Sequence, residues 1–141
     1  MNEYIKLKTR QQEEVNALPL GFAFSDKQFT EMMNKWGLTV NDTDKIYKLG
    51  RTGGFYRKSD SELIRSTFDR HEKEFAEAVA SDPDGTGFIK DMFRYELDNH
   101  EYSYTGCAED AIEALGYTFE DIQNDSKLKN GLMLAIEEIG G

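Results

Sequence analysis

Apolar residues recur every three or four positions over most of this chain, and that spacing predicts helices. Phe29, Met32, Met33 and Trp36 stand at i, i+3, i+4 and i+7. Ser25 and Gln28 ahead of them have the spacing of a capping box, and Gly37 is a natural stop. A second box, Ser59 with Glu62, opens a long stripe of Ile64, Phe68, His71, Phe75 and Val79. Ile89, Met92, Phe93, Glu96 and Leu97 line another helix, and Leu128, Leu132, Ala135, Ile136 and Ile139 a last one. Weaker patterns predict a polar helix ended by Pro19, a short one with Ala111, Ile112 and Leu115 inside, and a single turn capped by Thr118. Residues 102–106 read as a break, and Leu20 to Phe24 as an apolar link or short strand.

The pattern changes between residues 45 and 58. Two short apolar-polar runs flank Gly50, Gly53 and Gly54, which disfavour helix and supply positive φ, so a β-hairpin is expected. The expected fold is mainly α with one small β-hairpin: a compact bundle of about five or six helices in a single domain over 1–141. The helices fall near 4–18, 25–36, 60–80, 88–99, 108–115 and 126–139. The expected core includes Phe29, Trp36, Phe68, Phe75, Phe93, Leu97, Leu132 and Ile136.

Composition supports a folded chain. Only 38% of the 141 residues are hydrophobic, but nine Phe, seven Tyr and one Trp carry large burial areas. Cys107 is the sole cysteine, so no internal disulfide or cysteine metal pair forms. It reads as a small buried residue at a helix start. The polar stretch from Met1 to Gln12 lacks the apolar core of a secretory signal, and no run approaches the roughly 18 apolar residues of a membrane span. The expectation is a cytoplasmic protein with no membrane contact.

Charge is uneven. Residues 1–80 carry 13 acids and 13 bases, whereas residues 81–141 carry 14 acids and four bases. Nine acids and no Lys or Arg lie between Tyr95 and Ser126. Glu109, Asp110, Glu113, Glu120, Asp121 and Asp125 form the candidate acidic surface, whose partner would be a protein with a basic surface. The hairpin is the opposite: Lys45, Lys48, Arg51, Arg57 and Lys58 follow one another with no acid between Asp44 and Asp60. Lys48, Arg51, Arg57 and Lys58 with Tyr47, Phe55 and Tyr56 make a candidate contact for phosphate or nucleic acid, since cations hold phosphates and aromatics stack on bases.

Metal candidates are weaker. Asp82, Asp84 and Thr86 occupy positions 1, 3 and 5 of a calcium-type loop with Gly87 at 6. Phe93 stands at position 12, where a bidentate Glu belongs, so a tight helix-helix turn is the better reading. The echo FDRHE and LDNHE places Asp69, His71, Glu72, Asp98, His100 and Glu101 at spacings that do not converge on one helix face. A hydrogen-bonded structural His71 is preferred, and no cofactor is expected. No Ser-His-Asp pattern, dinucleotide fingerprint or zinc helix motif occurs, so an enzyme is disfavoured.

The runs RQQEEVNA (10–17), GFAFSDKQF (21–29), GFYRK (54–58) and YELDNHEYSYT (95–105) resemble a family of short uncharacterised acidic proteins carried by bacterial phages and conjugative mobile elements. The resemblance spans nearly the whole chain. It implies an accessory or anti-defence factor that binds and blocks host proteins, and it brings no site residues with it.

Overall fold

A computed structural model describes residues 2–140. Among them are eight α-helices and three strands. In order these are α1 (Glu3–Asn16), β1 (Gly21–Phe22), α2 (Asp26–Lys35), β2 (Ile46–Leu49), β3 (Gly54–Arg57), α3 (Ser61–Ser81), α4 (Phe88–Asn99), α5 (Tyr102–Thr105), α6 (Glu109–Ala114), α7 (Phe119–Gln123) and α8 (Ser126–Gly140). The protein is mainly α with a small antiparallel sheet, as the periodicity predicts. Single 3₁₀ turns cover Thr43–Lys45 and Lys58–Asp60. Contacts group the chain into two compact units: residues 12–71, and the remainder on both sides of that segment.

The larger unit is built around α4, which packs along α8 and against α5 and α6. Ile89, Met92, Phe93 and Leu97 are fully buried there, with Ile112, Ile122, Leu128 and Leu132 around them. Small residues allow the close approach. A methyl group on Gly131 of α8 would lie 2.4 Å from Ile89 Cγ2. Tyr4 of α1 sits among the rings of Phe75, Phe88 and Tyr95, and its hydroxyl donates to buried Glu96 (2.9 Å). Lys8 Nζ, 3.6 Å from the same carboxylate, supplies the counter-charge.

The smaller unit packs α2 on the sheet. Met32, Met33 and Ile46 are buried, and Phe29, Trp36 and Phe55 pack on them half-buried. The strand order is β1-β3-β2, so the short apolar link after Pro19 supplies an edge strand beside the expected hairpin. Glu14 accepts hydrogen bonds from Arg70 and pairs with His71 Nε2 at 2.9 Å. These partners, Arg70 first, lower the Glu14 pKa.

Several expectations need correction. Phe68 lies at the surface, 36% exposed, because the buried stripe of α3 in this unit runs through Ile64, Thr67 and His71, one position away. The Ser59-Glu62 box does not form, since a 3₁₀ turn without a side-chain cap leads into α3. The Ser25 cap does form, but Gln28 Oε1 accepts from Phe24 N–H one residue earlier than the ideal box requires. Residues 102–105 are a helical turn and not a break. Cys107 is exposed and precedes α6, so it is not a core residue.

Candidate functional site

The calcium-like loop connects α3 to α4. Asp82 is 4% exposed and accepts four backbone N–H groups: from Asp84 (3.3 Å) and Gly85 (2.9 Å) on Oδ1, and from Gly87 (3.1 Å) and Ile89 (3.0 Å) on Oδ2. Burial alone would raise its pKa, but the amides outweigh that and leave it lowered. Asp82 thus ties the loop to the first turn of α4. Asp84 Oδ1 accepts from the Thr86 hydroxyl and amide. The loop carbonyls are engaged as well. Lys127 Nζ donates to Asp82 O (2.7 Å), and Asn130 Nδ2 to Asp84 O (2.9 Å). The ammonium of Lys127 brings a positive charge to the C-terminal end of α3, where carbonyls lack helical partners. His100 Nδ1 lies 2.8 Å from Glu96 O on its own helix.

The acidic candidates divide into two kinds. Asp121 Oδ2 accepts from Thr118 N–H in a complete capping box, and Asp125 Oδ1 accepts from the amides of Lys127 and Leu128. Both carboxylates are helix caps. Glu109, Asp110 and Glu113 on α6, and Glu120 on α7, are exposed and have no ion-pair partner among the described residues. Buried Ala111, Ile112 and Leu115 fix α6 so that these acids face water. Elsewhere in the acidic stretch, Glu96 is neutralised by Lys8 and Asp98 by Arg94.

The hairpin forms, and its residues split between two faces. Pairing sets Tyr47 opposite Tyr56, Leu49 and Phe22 opposite Gly54, and Phe55 opposite Gly21 and Lys48. Alternation therefore puts Gly21, Ile46, Lys48, Phe55 and Arg57 on the α2 side. Phe55 meets Phe29 at 5.5 Å, and the Arg57 guanidinium lies 5.7 Å from the Trp36 ring while Nε reaches Asp60 (2.9 Å). The outer side carries Phe22, Tyr47, Leu49 and Tyr56. Tyr47 and Tyr56 lie 5.7 Å apart, and Lys58 Nζ sits 4.8 Å from the Tyr47 ring. Arg51 is exposed in the connecting loop. Thus Tyr47, Tyr56 and Lys58 come together, whereas Lys48, Phe55 and Arg57 go to the opposite face.

Sequence reading missed Phe22, which joins the outer face through a two-residue strand. It also missed Ser61 and Arg65, which line a cavity with Lys58. Alternation along 46–57 was the available signal for the two faces. The apolar run from Leu20 to Phe24 was the local signal for β1, but no local signal gives its pairing, because its partner lies more than 30 residues away.

Among the described residues no helix is long and apolar enough to cross a membrane. A family model described as "Family of unknown function (DUF7659)" matches residues 3–138. Neither a curated protein nor a solved structure matches.

Proposed function

The chain belongs to the DUF7659 family, and we propose that it is a non-enzymatic accessory binding protein that engages a basic partner protein through its acidic C-terminal surface. The observation that carries this reading is the group Glu109, Asp110, Glu113 and Glu120: four exposed carboxylates on consecutive short helices, without counter-charges among the described residues. Carboxylates of this kind speed encounter with a cationic surface. An inhibitor of host defence, carried by a phage or conjugative element, is the form of this role that the sequence resemblance suggests. Asp121 and Asp125 contribute charge, but their capping bonds make them structural as well.

The test replaces Glu109, Glu113 and Glu120 with Gln and Asp110 with Asn, leaving the two caps intact. The variant keeps its circular-dichroism spectrum. It loses partner capture in affinity purification from the native host, and added salt slows partner association more than dissociation. Wild-type capture of every partner by the folded variant refutes the reading.

A further inference from the structure

The outer face of the three-stranded sheet carries aromatic rings that neither core uses. Phe22 is 53% exposed and Tyr47 47% exposed, on the two opposite edge strands, with Tyr56 on the central strand between them. The Tyr47 and Tyr56 rings meet at 52° and so do not stack on one another. Lys58 lies over Tyr47 and also opens onto a polar cavity of about 500 Å³, lined by Ser59, Ser61 and Arg65 together with Glu62 and Asp69. This cavity adjoins the first turn of α3, a helix of 21 residues whose N-terminal dipole end favours an anion, although the Ser61 N–H already donates to Lys58 O. Ser61 is among the lining residues, and its Oγ is buried without a hydrogen-bond partner. A buried hydroxyl without a protein partner is completed by water or by a polar ligand.

We infer that the outer sheet face and this adjoining cavity bind single-stranded nucleic acid, with bases stacked on Tyr47, Tyr56 and Phe22 and one backbone phosphate held by Lys58, Arg65 and the Ser61 hydroxyl. Each part of the arrangement matches part of that ligand. Bases freed from pairing stack on aromatic rings, whereas a duplex hides them. Lys58 joins the two halves, since it touches both the ring and the cavity. Glu62 and Asp69 set the kind of phosphate: a singly charged diester fits beside them better than a doubly charged terminal phosphate. The cations that serve this surface are Lys58 and Arg65, since Lys48 and Arg57 lie on the α2 side of the sheet. The inference uses none of the carboxylates of α6 and α7, so it stands or falls independently of the acidic partner surface.

The test is fluorescence polarisation of labelled 15-nucleotide poly-dT and poly-U with the full chain. Saturable binding is expected, weakening about threefold to sevenfold between 50 and 200 mM salt, as one or two neutralised phosphates dictate for a single strand. Tyr47→Ala with Tyr56→Ala lowers affinity at least about tenfold, at roughly 1.4 kcal/mol per factor of ten and about 1–3 kcal/mol per stacked base. The corresponding Phe pair keeps it within about twofold. Lys58→Gln flattens the salt dependence, and the four-carboxylate variant leaves binding unchanged. Circular dichroism verifies each fold. The inference is overturned by absence of binding at 100 µM protein, by equal affinity for duplex or for free mononucleotide, or by wild-type affinity in the folded double-Ala variant. It is also overturned if that variant loses only self-association or capture of a protein.

Discussion

Asp82 offers the sharpest test of how the larger unit is held. Its carboxylate accepts from four amides; those of Gly85 and Ile89 are buried and those of Asp84 and Gly87 partly so. Asp82→Ala removes a helix cap, at about 1 kcal/mol. It also strands two buried donors, at about 1–3 kcal/mol each before relaxation. Water can reach the other two. The expected loss is about 3 kcal/mol, or roughly a 2 M drop in the urea midpoint at a slope of about 1.5 kcal/mol/M. Asp82→Asn keeps one acceptor oxygen but turns an NH₂ toward amide donors, so about 2 kcal/mol is expected. Asp84→Ala, at an exposed position, costs less than about 1 kcal/mol. Urea titration followed by circular dichroism at 222 nm measures all three.

The pH dependence has a definite sign. The folded carboxyl of Asp82 titrates below the value of about 3.9 for an unfolded Asp. Its contribution is therefore complete at neutral pH and is lost as pH falls below about 4, through the folded pKa. The gap between wild type and Asp82→Asn should narrow over that range. An Asp82→Ala unfolding free energy within about 0.5 kcal/mol of wild type refutes the cap argument. So does a calcium-induced rise of several degrees in wild-type Tm that Asp82→Asn abolishes, since the four amides leave that carboxylate little capacity for a cation.

Three further outcomes follow from close contacts in the same unit. Gly85 has φ +91°, and an added Cβ would lie 2.2 Å from the backbone oxygen of Lys127, so Gly85→Ala must push α8 off the loop; about 3 kcal/mol or more is expected in the urea midpoint. Tyr4→Phe removes the hydroxyl donated to Glu96, whose carboxylate is 3% exposed, at an expected cost of about 1–2 kcal/mol by the same titration. Burial, and then the Glu96 carboxylate, push the Tyr4 pKa far up, so spectrophotometric titration should show this tyrosine still protonated when exposed ones have ionised.

Helices with strong periodicity were legible because the pattern that predicts them is local. Phe29-Met32-Met33-Trp36 and Ile89-Met92-Phe93-Leu97 each define one face without reference to the rest of the chain. The hairpin was equally local, written in its glycines, and Thr118 announced its own cap. Phe68 shows where such reasoning stops. Phe68 and His71 share a stripe with Ile64, and only the neighbours of α3 decide that the buried line passes through Thr67.

The candidate sites depended more heavily on distant residues. Composition marked residues 45–58 as basic and aromatic, but strand register decides that Arg57 turns toward Trp36 while Tyr47 and Tyr56 face outward. The pairing of Gly21 with Phe55 adds Phe22 to that outer face. Likewise the letters of the 82–87 loop suit either a turn or a calcium site. Lys127 and Asn130, more than 40 residues later, fill its carbonyls. By itself, then, the sequence determined the strongly periodic helices, the hairpin, the acidic segment and the residue types at each site, because propensity, periodicity and charge act over a few neighbouring positions. Only the tertiary structure decided which of those side chains meet, because burial and hydrogen-bond partnership are set by residues far apart in the chain.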